Sequence, residues 1–205
     1  MKLATLSFDD GHALDRDVAE ILRAQGVRAT FYLITNRLHI LDRAWYAGHE
    51  IGSHSITHPR RPFAMSTETL TQEMSESRVL LQDWSGQSVR GYAYPCGKAT
   101  ILTAEIARVS GYDFARTFAI DPGNAYQIPE PYLWPVSVYA DRPEESRYLD
   151  DLIACSVPIS AAGHGYHFDT DAKREALQSF IGRLHAAEYT FVTNAEYVTQ
   201  CLQER

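Results

Sequence analysis

Short runs rich in β-branched and aromatic residues alternate with amphipathic segments along the whole chain. Residues 3–8, 29–34, 50–53, 90–94, 113–118, 133–138, 157–162 and 190–193 read as strands. Helical patterns fall between them. In 14–25, Leu14, Val18, Ile21 and Leu22 recur at helical spacing and Gly26 supplies the stop. In 67–84 the stripe is Leu70, Met74, Leu80 and Leu81, and in 171–187 it is Leu177, Phe180, Ile181 and Leu184. Further helices are expected over 43–47, 99–110, 144–155 and 196–202. Residues 119–131, rich in Pro, Gly and Asn, read as a long loop. Alternation of this kind builds parallel βαβ units. With about seven or eight mostly parallel strands, the expected class is α/β: a distorted (β/α) barrel in one domain spanning 1–205. The alternative is an open doubly wound sheet. A full eightfold barrel runs to ~250 residues, with ~200 as its lower end, so a chain of 205 calls for a trimmed version.

Composition narrows the function classes. A charge of −7 with no basic stripe argues against nucleic acid as a partner. Cys96, Cys155 and Cys201 are too few and too scattered for a disulfide framework or a Cys/His zinc knuckle. No run approaches the ~18 apolar residues of a membrane span. Acidic residues arrive at position 9, too early for a signal peptide. That favours the cytoplasm, or the periplasm or exterior if a leader has been removed. Nothing in the sequence indicates an oligomeric state.

The chemistry-bearing residues collect just after strands. Asp9 and Asp10 follow 3–8, His54 and His58 follow 50–53, Pro95, Cys96 and Gly97 follow 90–94, and His164 follows 157–162. In a parallel barrel those strand ends converge on one rim. Two imidazoles and a carboxylate suit a divalent ion, with positions left open for water and substrate. Such an ion lowers the pKa of water and polarises a carbonyl. A neighbouring carboxylate can accept the proton. Each piece alone has a plainer reading: Asp-Asp-Gly as a turn, His-x-x-x-His as a solvated face. Their convergence on strand ends favours a site.

Ser7-Phe8-Asp9-Asp10-Gly11, Gly52-Ser53-His54-Ser55-Ile56-Thr57-His58-Pro59, Tyr94-Pro95-Cys96-Gly97 and Gly163-His164 resemble, in order and spacing, the successive motifs of the polysaccharide deacetylases, the NodB-homology group or carbohydrate esterase family four. The resemblance implies a distorted, usually seven-stranded barrel and Zn²⁺ or a related ion such as Co²⁺ or Ni²⁺. It further implies Asp10, His54 and His58 as metal ligands, Asp9 as base and His164 as the acid that protonates the leaving amine. The backbone N–H of Cys96 would steady the oxyanion, and Tyr94, Pro95 and Trp134 are candidates for the substrate pocket. The implied reaction is hydrolysis of an N-acetyl group on an amino sugar or polysaccharide.

One departure stands out. The family often carries an Arg two residues before the motif's Pro, and here that position is Ala93. Arg116 is the candidate replacement, with Arg90 as the second choice. The carboxylate partner of His164 has no recognisable motif; Asp121, Trp134 and Asp141 are the candidates for that segment. His12 and His167 read as exposed polar residues. Competing functions are a same-fold amidase acting on a cyclic amide or ureide such as allantoin, or deformylating a lipid-linked aminosugar. Binding of carbohydrate without turnover is another. A non-haem iron oxygenase also uses two His and a carboxylate, but on an all-β scaffold that does not suit this pattern.

Overall fold

The computed structural model describes residues 2–142 and 147–203. The strands are β1 (Leu3–Asp10), β2 (Thr30–Leu33), β3 (Glu50–Ser53), β4 (Gly91–Ala93), β5 (Phe114–Ile120), β6 (Trp134–Val136), β7 (Val138–Tyr139), β8 (Ile159–His164) and β9 (Thr190–Phe191). The helices are α1 (Asp15–Ala24), α2 (Thr67–Ser85), α3 (Ile101–Val109), α4 (Pro122–Gln127), α5 (Arg147–Cys155), α6 (Asp171–Ala186) and α7 (Asn194–Gln203). Residues 144–146 of the helix expected over 144–155 lie outside the described residues.

Eight strands run in the order β6-β5-β4-β3-β2-β1-β8-β7, and short β9 pairs with the start of β1. Every recorded pairing is parallel. The two ends of this order, β6 and β7, are joined by a single residue, Ser137. One extended segment therefore pairs with β5 through its first half and with β8 through its second. Ser137 N donates to Ser160 O at 2.7 Å, and Ser160 N returns a bond to Ser137 Oγ at 3.1 Å. The sheet thus curls into a nearly closed barrel. The run 133–138, expected as one strand, divides in two because its halves face different neighbours.

The expected loop over 119–131 contains α4. Asp121 caps it by accepting Asn124 N at 3.2 Å, and Pro122 occupies its first turn. Pro suits that position because its missing N–H has no partner in a first turn anyway. The other elements match the sequence pattern within two residues or so.

The floor of the barrel is aromatic. Trp134 stacks on Tyr197 from α7 at 5.5 Å and meets Phe114 edge-on at 5.8 Å. Trp134 is fully buried, and its indole N–H donates to Ala125 O. Outside the strands, α1 packs its Val18, Ala19 and Leu22 face onto the barrel, and α6 does so with Leu177, Ile181 and Leu184. No described helix is long and apolar enough to cross a membrane.

Candidate active site

The site grows from the end of β1. Asp9 stays in the strand, opposite Tyr32 of β2 and His164 of β8. Asp10 next to it turns into the left-handed region (φ 81°). Consecutive strand residues already point to opposite faces; the left-handed backbone ends the strand at Asp10, at a cost of order 1–3 kcal/mol. Asp9, 3% exposed, accepts a hydrogen bond from Arg116 Nη2. Arg116 is itself 1% exposed. Its guanidinium lies 4.9 Å from the Tyr32 ring centroid and 5.5 Å from that of Phe118, and Nη1 donates to Thr117 O at 3.0 Å. The ladder pairs Ala93 directly with Arg116, so the cation missing from β4 arrives from one rung across on β5. Arg90 instead pairs with Asp113 at the barrel's other end.

Asp10 faces the two histidines that follow β3. Its Oδ1 lies 3.5 Å from Nε2 of both His54 and His58. His54 is buried, and its Nδ1 sits 2.8 Å from Ala93 O. A carbonyl can only accept, so Nδ1 carries the proton and the Nε2 lone pair faces Asp10. Burial lowers the His54 pKa, outweighing the opposite pull of Asp10, and this keeps the ring neutral.

His58 hangs from a tight loop in which Ser55 (φ 66°) and His58 (φ 57°) are both left-handed. Ser55 Oγ accepts from His58 N at 2.9 Å. From α2, the buried carboxylate of Glu73 accepts from Ile56 N and Thr57 N, both at 2.9 Å, and from the Thr57 hydroxyl at 2.7 Å. Sequence reasoning missed Glu73. Its one signal was a carboxylate at a position of α2 between buried Leu70 and Met74.

At the end of β8, His164 Nδ1 lies 3.0 Å from Asp141 Oδ2, and His164 N donates to the same oxygen at 2.9 Å. Asp141 is therefore the sought carboxylate; Asp121 caps α4. A Cβ on Gly163 would stand 3.0 Å from the Asp141 carboxyl carbon, so glycine permits that approach. Burial alone would pull His164 down, but Asp141, with Asp9 and Asp10 behind it, raises its pKa overall. Burial likewise pushes Asp141 up, and the two imidazoles beside it bring it below the ordinary value. The second imidazole is His167, whose Nδ1 is 2.7 Å from Oδ2. It is no plain surface residue as expected, since the Asp141 oxygen holds it. His12 is also held, with Nδ1 accepting from Leu14 N.

Asp9, Asp10, His54, His58, Cys96, Phe118, His164 and Tyr166 line one cavity of about 550 Å³. A second of about 470 Å³ adjoins it at Gly97. Three of the expected pocket residues are corrected. Trp134 is in the barrel floor, where α7 covers it. Tyr94 is buried against Tyr92 and donates to Tyr132 O. Pro95 is buried below the turn that Cys96 (φ 57°) and Gly97 (φ 66°) present to the cavity. That turn presses so closely on β5 that a Cβ on Gly97 would stand 2.8 Å from Phe118 N.

Comparison with known proteins identifies the family. The sequence model of the family described as "Polysaccharide deacetylase" matches residues 1–115. The chain belongs to the polysaccharide deacetylase family. It is 33% identical over 112 residues to the putative polysaccharide deacetylase YheN of Bacillus subtilis, a match covering 52% of this chain and 40% of that protein. A weaker match, 30% over 98 residues, falls on 4% of a Bacillus gellan lyase. The chain thus spans less than half the length of the curated relatives it matches. Among solved structures, the Xyl-CE4 domain of a xylanase from a Trinervitermes trinervoides hindgut metagenome superposes with a TM-score of 0.68 at 23% identity, covering 97% of this chain and 90% of that one. The Bacillus anthracis protein BA3943, described as a CE4 family pseudoenzyme, gives 0.69 at 20% identity over 96% of this chain and 65% of its own. At such identities these neighbours establish the shared fold, and that fold hosts inactive members too.

Proposed function

We propose that this family member is a metal-dependent hydrolase that removes an N-acetyl group from an amino sugar. The observation that carries the reading is the pairing of Asp9 with His164 across the β1–β8 ladder, beside the Asp10–His54–His58 group. A proton acceptor and a proton donor thus flank one spot at the rim.

Asp10, His54 and His58 would hold the ion. Their donor atoms lie within 4.8 Å of one another, and a neutral imidazole with a fixed tautomer plus a carboxylate matches what Zn²⁺, Co²⁺ or Ni²⁺ binds. When bound, the ion would polarise the acetamide carbonyl and acidify water. Asp9, oriented by Arg116, accepts the proton of the attacking water. The Cys96 N–H donates to the oxygen that gains charge as the carbonyl carbon becomes tetrahedral. His164, kept protonated by Asp141, delivers its proton to the departing nitrogen as the C–N bond breaks. Acetate and a free amine are the products. The two adjoining cavities give room for more than one sugar ring.

The test is acetate release from N-acetylglucosamine and its oligomers with added Zn²⁺ or Co²⁺, set beside cyclic amides and ureides. Asp10→Ala should lose the metal; stoichiometric metal retained in that variant refutes the ligand set. Asp9→Asn should keep the metal and lose turnover by ~10²–10⁴. Carbohydrate binding by the wild-type chain without any metal-stimulated hydrolysis would mark it as a binder, like a pseudoenzyme.

A further inference from the structure

We propose that the substrate of this site bears an anionic group, a phosphate or a carboxylate, which docks on a ring of cations at the mouth of the cleft. The inference rests on the deacetylase reading for the chemistry, but not for the binding it describes. Arg37, Arg60, Lys98 and Arg142 line the same cavity as Asp9, Asp10, His54 and His58. They are four of only 19 Lys and Arg in a chain of net charge −7. Each comes from a loop that also serves the site. Arg37 lies in the turn after β2, Arg60 two residues past His58, Lys98 two past Cys96, and Arg142 beside Asp141.

The fold does not use most of this charge. Among the described residues, no carboxylate stands within 4.0 Å of Arg37, Arg60 or Lys98. The two carboxylates lining the cavity are engaged elsewhere, Asp9 with Arg116 and Asp10 with the histidines. Backbone oxygens hold two of the cations in place instead. Lys98 Nζ donates to Arg60 O at 2.9 Å, and Arg37 Nη1 leans on Asp10 O at 3.4 Å. Arg142 lies 4.5 Å from the Tyr139 ring centroid, with Nε 3.9 Å from Asp141 Oδ1.

Like charges gathered around one concavity repel each other, and a neutral acetamido sugar offers them hydrogen bonds but no charge to offset that repulsion. They focus a positive field into the cleft and attract an anion. Guanidinium forks match phosphate and carboxylate oxygens two at a time. A neutral sugar chain would instead be served by aromatic platforms, and the aromatic side chains lining this cavity are Phe118 and Tyr166. At about 550 Å³ the cavity takes one sugar ring with a charged substituent.

The test separates binding from turnover. Calorimetry on the Asp9→Asn/Arg116→Met variant, in which neither member of that buried pair is left stranded in the cleft, compares N-acetylglucosamine, its 1- and 6-phosphates, and N-acetylmuramic acid. One or more of the anionic sugars should bind at least about tenfold tighter than the neutral one, the scale of a single charge-assisted hydrogen bond. A phosphate arm or a carboxylate arm that wins names the group. In Arg60→Gln and Lys98→Gln the ratio should fall toward one, and inorganic phosphate should compete. Equal affinities for neutral and anionic sugars, or a ratio untouched in both variants, overturn the proposal. Acetate release by the wild-type protein from the preferred sugar is scored separately. Charge-selective binding without release would leave the docking site standing and refute the deacetylase reading.

Discussion

Replacing Arg116 with Met tests the frame on which the site is built. Arg116 and Asp9 are 1% and 3% exposed and paired with each other, so each charge is neutralised chiefly by the other. Removing one partner of a buried pair leaves an uncompensated charge and costs about 3–5 kcal/mol. In a chain of this size each kcal/mol moves Tm by roughly 2–4 °C, so Arg116→Met should melt on the order of 6–20 °C lower. Met keeps much of the stem volume and its contact with the Tyr32 ring, so the loss reports charge rather than a cavity. The decisive comparison is the double variant Asp9→Asn/Arg116→Met. With both charges gone, no ion is stranded, and stability should recover by about 2–3 kcal/mol relative to the sum of the single losses. Urea unfolding of all four proteins, with a chelator present, gives the cycle. Chelation keeps metal at Asp10 from contributing. A loss below about 1 kcal/mol in Arg116→Met, or a double variant no better than the sum of the singles, would refute the claim that Asp9 depends on this pair.

Other outcomes follow from the same contacts. Glu73→Ala frees the loop that carries His58 and should weaken Zn²⁺ binding about 10–100-fold, the usual scale for groups that orient ligands. Direct metal titration checks this, and unchanged affinity would show that the loop holds itself. Asp141→Asn removes the carboxylate that keeps His164 protonated, so the basic limb of the kcat/KM profile should move to lower pH; an unmoved limb would mean another group is the acid. The same pair links stability to pH. His164 is raised from 6.5, so its contribution is complete below that pH and fades as pH rises through its folded value. Asp141 is lowered from 3.8, so its contribution is complete above that pH and fades as pH falls. Wild type should therefore exceed Asp141→Asn by more at pH 5.5 than at pH 9 in urea unfolding, and an equal difference would contradict the assignment.

What the sequence made legible was whatever is written locally. The alternation of apolar runs and amphipathic stripes yields the strand and helix order because each element carries its own period. The Asp9–Asp10 and His54–His58 motifs yield the site's centre because the barrel brings strand ends together on one rim. Arg116 was reachable by a longer step: Ala93 stands where the family often has its Arg, the resemblance pointed to an Arg from a later strand, and the ladder sets Arg116 directly beside Ala93. By contrast, Trp134 was misplaced, since an aromatic residue at a strand's start looks the same whether it floors the barrel or walls a pocket. Only the covering by α7 decides which. The helix over Pro122–Gln127 was hidden by composition, although Asp121-Pro122 is a cap followed by a first turn.

The residues hardest to read are those that hold others in place. Glu73 grips the N–H groups of Ile56 and Thr57, and those donors exist at nearly every residue, so the partner leaves no mark in the sequence. Asp141 lies 23 positions from His164 and joins it only because β7 and β8 pair at Val138–Ala161 and Tyr139–Ala162. Its position is therefore a consequence of how the barrel closes. Splitting the closing segment at Ser137 turns β7 toward β8, and that turn delivers Asp141 beneath His164. The closure of the fold and the protonation of the proposed acid thus depend on the same few residues. Ser137→Ala, which removes the bond from Ser160 N to Ser137 Oγ without touching any group in the cleft, should lower the pH at which His164 titrates by NMR; an unmoved titration would show that the backbone bond from Ser137 N to Ser160 O is enough to hold the closure.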